Sequence, residues 1–288
     1  MTSSTTMTER LLICTDLDRT LLPNGSAPES ASARALFKVL AERAEVVLAY
    51  VSGRHKALVE QAMADYRLPR PDFVIGDVGT SIYAITADGW REWPQWAEAI
   101  APDWAGREHD DMRRLFAPLA GLTLQESAKQ NRFKLSYYVP IEIDLPRLLA
   151  AMRDLLAQQA IRADLIYSVD EAANIGLLDV LPASATKFHA IEFLMRELGF
   201  GIENTVFAGD SGNDLPVLTS PIRSVLVANA SDEVRKQARE LARQHSTDSA
   251  LYLAKGGFMG MNGNYSAGIL EGVAHYLPHT EQWMKTDD

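Results

Sequence analysis

The first 84 residues combine two hydrophobic periodicities. Residues 11–15, 45–52 and 73–78 each contain an apolar run that is typical of a strand buried on both faces. Between them, residues 30–43 and 56–67 carry apolar positions three and four apart, which predicts helices. Strands and helices that alternate in this way favour a parallel sheet covered by helices on both faces.

The pattern changes after residue 84. Residues 133–139 place an apolar side chain at every second position, which predicts a half-exposed strand of an antiparallel sheet. Residues 148–158 predict a helix, and residues 164–169 predict another strand. Helices beside a small antiparallel sheet would form a separate α+β unit.

From residue 176 the pattern of a parallel sheet returns. Further strands are predicted at residues 176–182, 205–210 and 224–229, and helices at residues 231–244 and 267–276. Another helix is predicted to run through Lys187 and to end near Gly199. Ser184 is expected to cap the helix that contains Lys187. We therefore predict an α/β fold with a doubly wound, mostly parallel, Rossmann-like core sheet. Residues 1–84 and 177–288 would form this core, and residues 85–176 an inserted α+β cap domain.

Composition narrows the classes of function. Of the 288 residues, 47% are hydrophobic and 23% are charged, as in ordinary globular proteins. No apolar run approaches the roughly 20 residues of a membrane-spanning helix, and the N-terminus lacks the order of a secretory signal. We therefore expect a cytoplasmic protein. A net charge of −10 disfavours binding to nucleic acid or to an acidic membrane. The single cysteine, Cys14, is expected to be a buried hydrophobe.

Acidic residues follow two of the predicted strands. Asp16 and Asp18 come directly after the first apolar run, and Asp210 and Asp214 follow the run at residues 205–208. Carboxylates that share one edge of a sheet repel one another and call for a cation. Because carboxylate oxygens are ligands that Mg²⁺ prefers, the sequence predicts a magnesium site where these strands end.

Four short motifs resemble those of the haloacid dehalogenase superfamily of phosphohydrolases. They are Asp16-Leu17-Asp18-Arg19-Thr20, Ser52-Gly53-Arg54, Lys187, and Gly209-Asp210-Ser211-Gly212-Asn213-Asp214. All four occur in the order of that superfamily. The insertion lies between the second and third motifs, which is where the type C2 caps of the superfamily sit.

This resemblance implies a role for each motif residue. Asp16 would be the nucleophile that forms an aspartyl-phosphate, and Asp18 the general acid and base, for which we expect a raised pKa and poor solvation in the closed site. Lys187 would neutralise nucleophile and phosphate. Phosphate-binding residues would be Thr20, Ser52, Gly53 and Asn213. Metal ligands would be Asp16, the backbone carbonyl of Asp18, and Asp210, with Asp214 holding Lys187 or a metal-bound water.

The cap region resembles that of the sucrose-phosphate phosphatases, which carry a C2B-type cap. The similarity rests on residues 78–82, 133–139, 178–182 and 267–271 and on Trp104. By position, Lys134 is the main candidate for a cap residue that binds the sugar, followed by Gln130 and Asn131; the alternative for Lys134 is an exposed strand lysine. Four of the five tryptophans lie within fifteen residues, at 90–104. Packing in the cap core is favoured for them over stacking on sugar.

The resemblance leaves several functions open. The main hypothesis is a Mg²⁺-dependent phosphatase of sucrose metabolism that hydrolyses a sugar phosphate, with the glycosyltransferase that makes this substrate as a candidate partner. Alternatives are a phosphatase for mannosylfructose phosphate or a hexose phosphate, and a phosphomutase with the same cap type. A module that binds a sugar phosphate without catalysis is disfavoured, because binding alone needs neither Asp16 nor Asp18.

Overall fold

A computed structural model describes residues 10–171 and 173–285; the Ser/Thr-rich segment at residues 1–9 lies outside them. The strands are β1 (Leu11–Thr15), β2 (Val46–Val51), β3 (Phe73–Gly76), β4 (Ser81–Thr86), β5 (Gly89–Glu92), β6 (Thr123–Leu124), β7 (Leu135–Val139), β8 (Ala163–Asp170), β9 (Ile175–Pro182), β10 (Thr205–Gly209), β11 (Arg223–Leu226) and β12 (Leu251–Leu253). The α-helices are α1 (Ala33–Ala41), α2 (Lys56–Tyr66), α3 (Pro94–Ile100), α4 (His109–Phe116), α5 (Leu145–Gln158), α6 (Lys187–Leu198), α7 (Leu215–Leu218), α8 (Asp232–Gln244), α9 (Ser266–Tyr276) and α10 (Thr280–Trp283).

The larger sheet has eight strands in the order β12-β11-β10-β1-β2-β3-β4-β5. The pairs from β12 to β3 are parallel, and β4 and β5 form an antiparallel extension. Central strand β1 lies between β10 and β2. The carboxyl ends of these three strands therefore meet at one edge, which is where ligands bind in open α/β sheets.

The apolar run of β1 is explained by burial on both faces of this sheet. Leu11 and Ile13 belong to one hydrophobic cluster, and Leu12 and Cys14 belong to another. Successive side chains of a strand point to opposite faces, so helices must cover both. Cys14 is a buried hydrophobe as expected, and burial raises the pKa of its thiol far above the usual value.

The second sheet has four antiparallel strands in the order β6-β7-β9-β8. Helices α4 and α5 pack beside it through hydrophobic residues of the same cluster. The prediction that β7 is half-exposed is wrong, because four of its five residues are buried. On the polar face Ser136 is buried, and its hydroxyl contacts the carbonyl of Lys129 at 3.2 Å and the carboxylate of Asp179.

The predicted α/β class, with a mostly parallel core sheet and an α+β unit, is confirmed. The boundaries at 84/85 and 176/177 stay a prediction. Strand β5 at residues 89–92 pairs within the larger sheet, and β9 runs through position 177 in the smaller one. The apolar pattern did not predict β5, β12, α3 or α10, which are short elements. None of the described helices has the length and hydropathy needed to cross a bilayer.

Candidate active site

Asp16, Asp210 and Asp214 form a buried acidic cluster at the carboxyl edge of the larger sheet. Each offers a carboxylate oxygen, and these atoms lie within 4.8 Å of one another. The parallel register of β1 and β10 pairs Thr15 with Ala208, which brings the residues after both strands together. The structure thus joins aspartates that are almost 200 positions apart in the chain.

Lys187 lies in the middle of this cluster. Its Nζ donates to Asp16 Oδ1 at 2.9 Å, to Asp214 Oδ1 at 2.7 Å and to Asn213 Oδ1 at 3.3 Å. Its side chain is 4% exposed. Burial would by itself lower the pKa of Lys187, but the carboxylates of Asp214 and Asp16 raise it above the usual value. The lysine is therefore protonated and serves as a fixed cation.

Helix α6 presents Lys187 in its first turn. Thr186 caps the helix, with its Oγ1 accepting a hydrogen bond from the N–H of His189 at 3.1 Å. The prediction that Ser184 is this cap is wrong. Ser184 donates through its N–H and its hydroxyl to Asp103 Oδ2, both at 2.6 Å. Asp103 is a buried carboxylate of the insertion, and the charge-assisted hydrogen bonds that it accepts engage both donors of Ser184.

The acidic cluster fits a hard divalent cation. Burial raises the pKa of Asp16 to about 7, with Asp214 and Asp210 adding to the effect and Lys187 opposing it. Burial and Asp214 also raise the pKa of Asp210 to about 6, while Arg19 opposes the shift. Like charges in a poorly solvated site are stabilised by a cation. Because the donors are carboxylate oxygens, Mg²⁺ suits them.

Both carboxylate oxygens of Asp214 accept hydrogen bonds from groups of the protein. Oδ1 accepts from Lys187, and Oδ2 accepts from the N–H groups of Asp210 at 3.1 Å and Ser211 at 3.2 Å. A Cβ added to Gly209 would lie 2.6 Å from the Asp214 carboxyl. Asp214 thus holds Lys187 and the turn after β10, in line with the first of its two expected roles.

Asp18 departs from the expected environment. Its side chain is 41% exposed, and its carboxylate accepts two hydrogen bonds from Arg54 and one from Asn24. Burial acts to raise the pKa of Asp18, but the bonds from Arg54 and Asn24 together lower it. In this arrangement the pKa of Asp18 is therefore lowered and its carboxyl is partly exposed, and the raised pKa expected for the closed site stays a prediction.

The expected phosphate-binding residues surround the cluster. Thr20 Oγ1 donates to Asp210 Oδ1 at 3.2 Å and lies 3.5 Å from Asp16 Oδ2. Asn213 bonds Lys187. Ser52 is buried at the end of β2, beside β1, and its Oγ accepts from the N–H of Arg54 at 3.1 Å. Gly53 follows it and is exposed.

The expected sugar-binding residues of the cap differ in their availability. Gln130 and Asn131 use their amides inside the protein. Gln130 bonds the backbone of Ser136 and Gln125, and Asn131 Nδ2 donates to Thr80 Oγ1 at 2.8 Å. They shape the cap and its junction with the core.

Lys134 is 7% exposed, so the alternative of an exposed strand lysine is wrong. Its Nζ lies 4.0 Å from Asp179 Oδ2 on the neighbouring strand. Asp77, which follows β3 in the core, is buried; burial raises its pKa and Lys134 opposes the shift. Lys134 therefore carries its charge into the space between the two sheets.

Trp104 belongs to the core of the inserted unit. It is fully buried, and its ring meets that of Phe133 edge to face, with centroids 5.8 Å apart. Trp93 packs between Phe73 and Phe193. The predicted packing in the cap core is confirmed for Trp104, whereas Trp93 packs on Phe73 of β3 and Phe193 of α6 beside the larger sheet.

Comparison with known proteins decides the family. The sequence model of the sucrose-6F-phosphate phosphohydrolase family matches residues 9–277. The chain belongs to this family. A HAD-like hydrolase from Nitrosococcus oceani is 54% identical over 281 residues, which are 97% of this chain and 75% of that protein. A mannosylfructose-phosphate phosphatase from Agrobacterium fabrum is 28% identical over 92% of this chain and 96% of that one.

The sucrose-phosphate phosphatase fold is also found among solved structures. The sucrose-phosphatase of Synechocystis, in complex with sucrose and phosphate, aligns with a TM-score of 0.67 and 24% identity over 93% of this chain and 98% of that one. This likeness shows the fold. Family membership makes the chain a phosphatase of the haloacid dehalogenase superfamily, as the four motifs imply.

The sequence motifs contain two arginines for which no function was predicted. Arg54 binds Asp18, and Arg19 Nε lies 3.4 Å from Asp210 Oδ2. Asp77 was not singled out either. All three follow the carboxyl end of a core strand, at β1, β2 or β3. Their position at the end of a strand could have marked them as site residues, because the ends of parallel strands share one edge.

Proposed function

We propose that this chain is a Mg²⁺-dependent phosphatase that hydrolyses a disaccharide phosphate such as sucrose 6-phosphate through an aspartyl-phosphate intermediate. The observation that carries the proposal is the position of Lys187 Nζ, 2.9 Å from Asp16 and 2.7 Å from Asp214. A buried cation beside a buried nucleophile is suited to a dianionic phosphate ester. Membership in the sucrose-6F-phosphate phosphohydrolase family supports the class of substrate.

In the first step, an oxygen of Asp16 attacks the phosphorus atom, and the bond between phosphorus and the sugar oxygen breaks. Asp18 gives its proton to the departing sugar oxygen. In the second step, Asp18 takes a proton from a water molecule that attacks the phosphorus atom, which releases phosphate and restores Asp16. Asp16, Asp210 and the backbone carbonyl of Asp18 would hold Mg²⁺, which would supply charge neutralisation to the transferred group.

Asp18 must change partners during this cycle. In the structure Arg54 favours its ionised form, which is the form that accepts a proton from water. To act as an acid, Asp18 must first be protonated, and its hydrogen bonds from Arg54 must weaken. We assign to Arg54 the stabilisation of the ionised form that Asp18 takes once it has given its proton to the sugar oxygen, which is the form needed for the hydrolytic step.

The remaining motif residues bind the phosphoryl oxygens. Thr20 and Asn213 are assigned this role because their polar groups border the acidic cluster. Ser52 is assigned it through its hydroxyl, because its N–H donates to the carbonyl of Ile75, and Gly53 is assigned it through its backbone N–H. Lys134, buried between the sheets, is assigned contact with the sugar, while Gln130 and Asn131 keep the cap in shape.

The second candidate substrate is mannosylfructose phosphate. It is favoured by the Agrobacterium fabrum relative, which this chain matches over 96% of that protein's length. Both substrates share a phosphorylated disaccharide and would use the same residues of the core. The glycosyltransferase that makes the substrate stays a candidate partner.

The test is release of inorganic phosphate from a substrate panel. Sucrose 6-phosphate, mannosylfructose phosphate, trehalose 6-phosphate and hexose phosphates are compared with Mg²⁺ and with EDTA. We expect disaccharide phosphates to be hydrolysed fastest, with activity lost in EDTA and in Asp16→Asn. The matched control is Asp154→Asn, an exposed aspartate of α5.

Three results would count against the proposal. Turnover by Asp16→Asn would remove that residue from the nucleophile role. A preference for monosaccharide phosphates would remove the disaccharide. An isomerised sugar phosphate in place of free phosphate would indicate a phosphomutase.

A further inference from the structure

Arg19 adopts a backbone conformation that side chains seldom take. Its φ is +57°, in the left-handed region that favours glycine. Non-glycine residues remain in this region when the surrounding structure holds them there, and such residues concentrate at functional sites. The chain therefore keeps an arginine where glycine would be the relaxed choice.

Three loops hold this conformation. The N–H of Arg19 donates to Asn24 Oδ1 at 2.8 Å, and its carbonyl accepts from Asn229 Nδ2 at 2.6 Å. Asn229 in turn accepts from the N–H of Tyr265 at 2.8 Å. Both polar groups of the Arg19 backbone are thus tied to side chains, so the fold sets the direction in which the Cα–Cβ bond of Arg19 leaves the backbone.

The Arg19 side chain is directed at one carboxylate of the acidic cluster. Its Nε lies 3.4 Å from Asp210 Oδ2, while the other oxygen, Oδ1, accepts from Thr20. Asp16 and Asp214 already share Lys187. The guanidinium of Arg19 is therefore the counter-charge of Asp210.

The side chain of Arg19 can move away from the acidic cluster more easily than that of Lys187. Lys187 is 4% exposed and is held by two carboxylates, whereas the side chain of Arg19 is 58% exposed. Arg19 can turn into solvent with little loss of packing, and exposed ion pairs of this kind are weak. A divalent cation that approaches the cluster can thus displace Arg19 but not Lys187.

We propose that Arg19 competes with the divalent cation for Asp210 and so weakens the affinity of the site for Mg²⁺. This inference rests on the proposed function, because it takes Asp210 as a metal ligand. Two positive charges that need the same carboxylate oxygens repel each other, and binding of one requires withdrawal of the other. Arg19 would thereby make occupancy of the site sensitive to the Mg²⁺ concentration.

The experiment is titration of the full chain with Mg²⁺ alone, followed by calorimetry, with Mg²⁺-dependent thermal stabilisation as a second readout. Arg19→Gln removes the charge and keeps the strained backbone, Arg19→Gly removes both, and Arg19→Lys keeps the charge. The control is Arg113→Gln, an exposed arginine of α4 that pairs with Asp110 and gives the same change in net charge. Circular dichroism verifies the fold of each variant.

We expect Arg19→Gln and Arg19→Gly to bind Mg²⁺ roughly fivefold more tightly or better, from removal of a nearby like charge. Arg113→Gln should match the wild type, and Arg19→Lys should lie closer to it than Arg19→Gln. Unchanged Mg²⁺ affinity in Arg19→Gln, or an equal gain in Arg113→Gln, overturns the inference. In that case an active wild type still supports the proposed function. Absence of Mg²⁺ binding and of activity in the wild type overturns the proposed function instead.

Discussion

Arg54 grips the carboxylate of Asp18 with two nitrogens of its guanidinium. Nε donates to Oδ2 at 2.8 Å, and Nη2 donates to Oδ1 at 2.6 Å. Paired, parallel hydrogen bonds of this kind are the strongest that a carboxylate makes with a side chain. They join the ends of β1 and β2 and hold Asp18 in its ionised form.

Replacing Arg54 with Gln should give a stability loss that depends on pH. The folded-state pKa of Asp18 is lowered, so the pair contributes stability above the unfolded pKa of about 3.9. That contribution is lost as pH falls through the lower folded pKa. Because Asp18 is partly exposed, we expect a loss of only about 0.5 to 1 kcal/mol at pH 7, shrinking below about pH 4. Urea unfolding at several pH values measures it.

A double-mutant cycle provides the control for Arg54. In an Asp18→Asn background, Arg54→Gln should cost less, and its cost should no longer vary with pH. An equal, pH-dependent loss of stability in both backgrounds would show that Arg54 pairs with a carboxylate other than Asp18.

Replacing Lys134 with Met should act on substrate affinity for sugar phosphates. We expect KM for the disaccharide phosphate to rise roughly tenfold with a smaller change in kcat, as for loss of a ground-state contact. Hydrolysis of a small aryl phosphate should be unaffected. Lys129→Met, in a half-buried cap lysine paired with Glu126, is the matched control. Equal losses on both substrates would contradict a sugar contact.

Truncating Trp104 should destabilise the protein. The side chain is fully buried against Phe133, so Trp104→Ala should cost about 3 to 5 kcal/mol in the free energy of unfolding. Its Nε1 has no hydrogen-bond partner among the described residues, so Trp104→Phe loses volume without breaking a hydrogen bond and should cost less. Denaturant unfolding tests this, and Trp90→Ala, at a half-buried tryptophan, should cost less than Trp104→Ala. An equal cost of Trp90→Ala and Trp104→Ala would contradict a central place of Trp104 in this core.

Gly79 and Gly89 form a matched pair for testing the loop beside Lys187. Both have positive φ, +100° and +113°. A Cβ at Gly79 would lie 2.7 Å from the carbonyl carbon of Thr186 and 3.0 Å from the nitrogen of Lys187, whereas at Gly89 nothing lies within 4 Å.

Gly89→Ala should therefore cost roughly 1 kcal/mol, from backbone strain alone. Gly79→Ala should cost at least about 3 kcal/mol and reduce phosphatase activity, because the start of α6 must shift. Unfolding curves and phosphate release measure the two effects. Equal losses of stability in the two variants would show that Thr186 moves aside at little cost in free energy.

The elements that the sequence predicted well are those buried on both faces. Strands such as β1 and β2 have continuous apolar runs, because each lies in the middle of a sheet covered by helices. Short edge elements such as β5 and β12 carry too few buried residues to give a period. In β7, the alternating pattern did not reveal that the polar face is also buried, where Ser136 contacts Asp179 and the carbonyl of Lys129.

Sequence alone determined which carboxylates lie at the active edge. The end of an apolar run marks the end of a strand, and parallel strands end at a common edge, so Asp16 and Asp210 had to meet there. Lys187 could be assigned to them through the order of the motifs.

Only the tertiary structure decided how the charges pair. Arg54 with Asp18, Arg19 with Asp210, and the burial of Lys134 beside Asp179 all depend on side-chain directions. Hydrophobic periodicity carries no information on these directions, because it records only which face of an element is buried. Hydrogen bonds, in contrast, weaken steeply with a small change in distance or angle. The ionised state of Asp18 was therefore set by contacts that no local pattern contains.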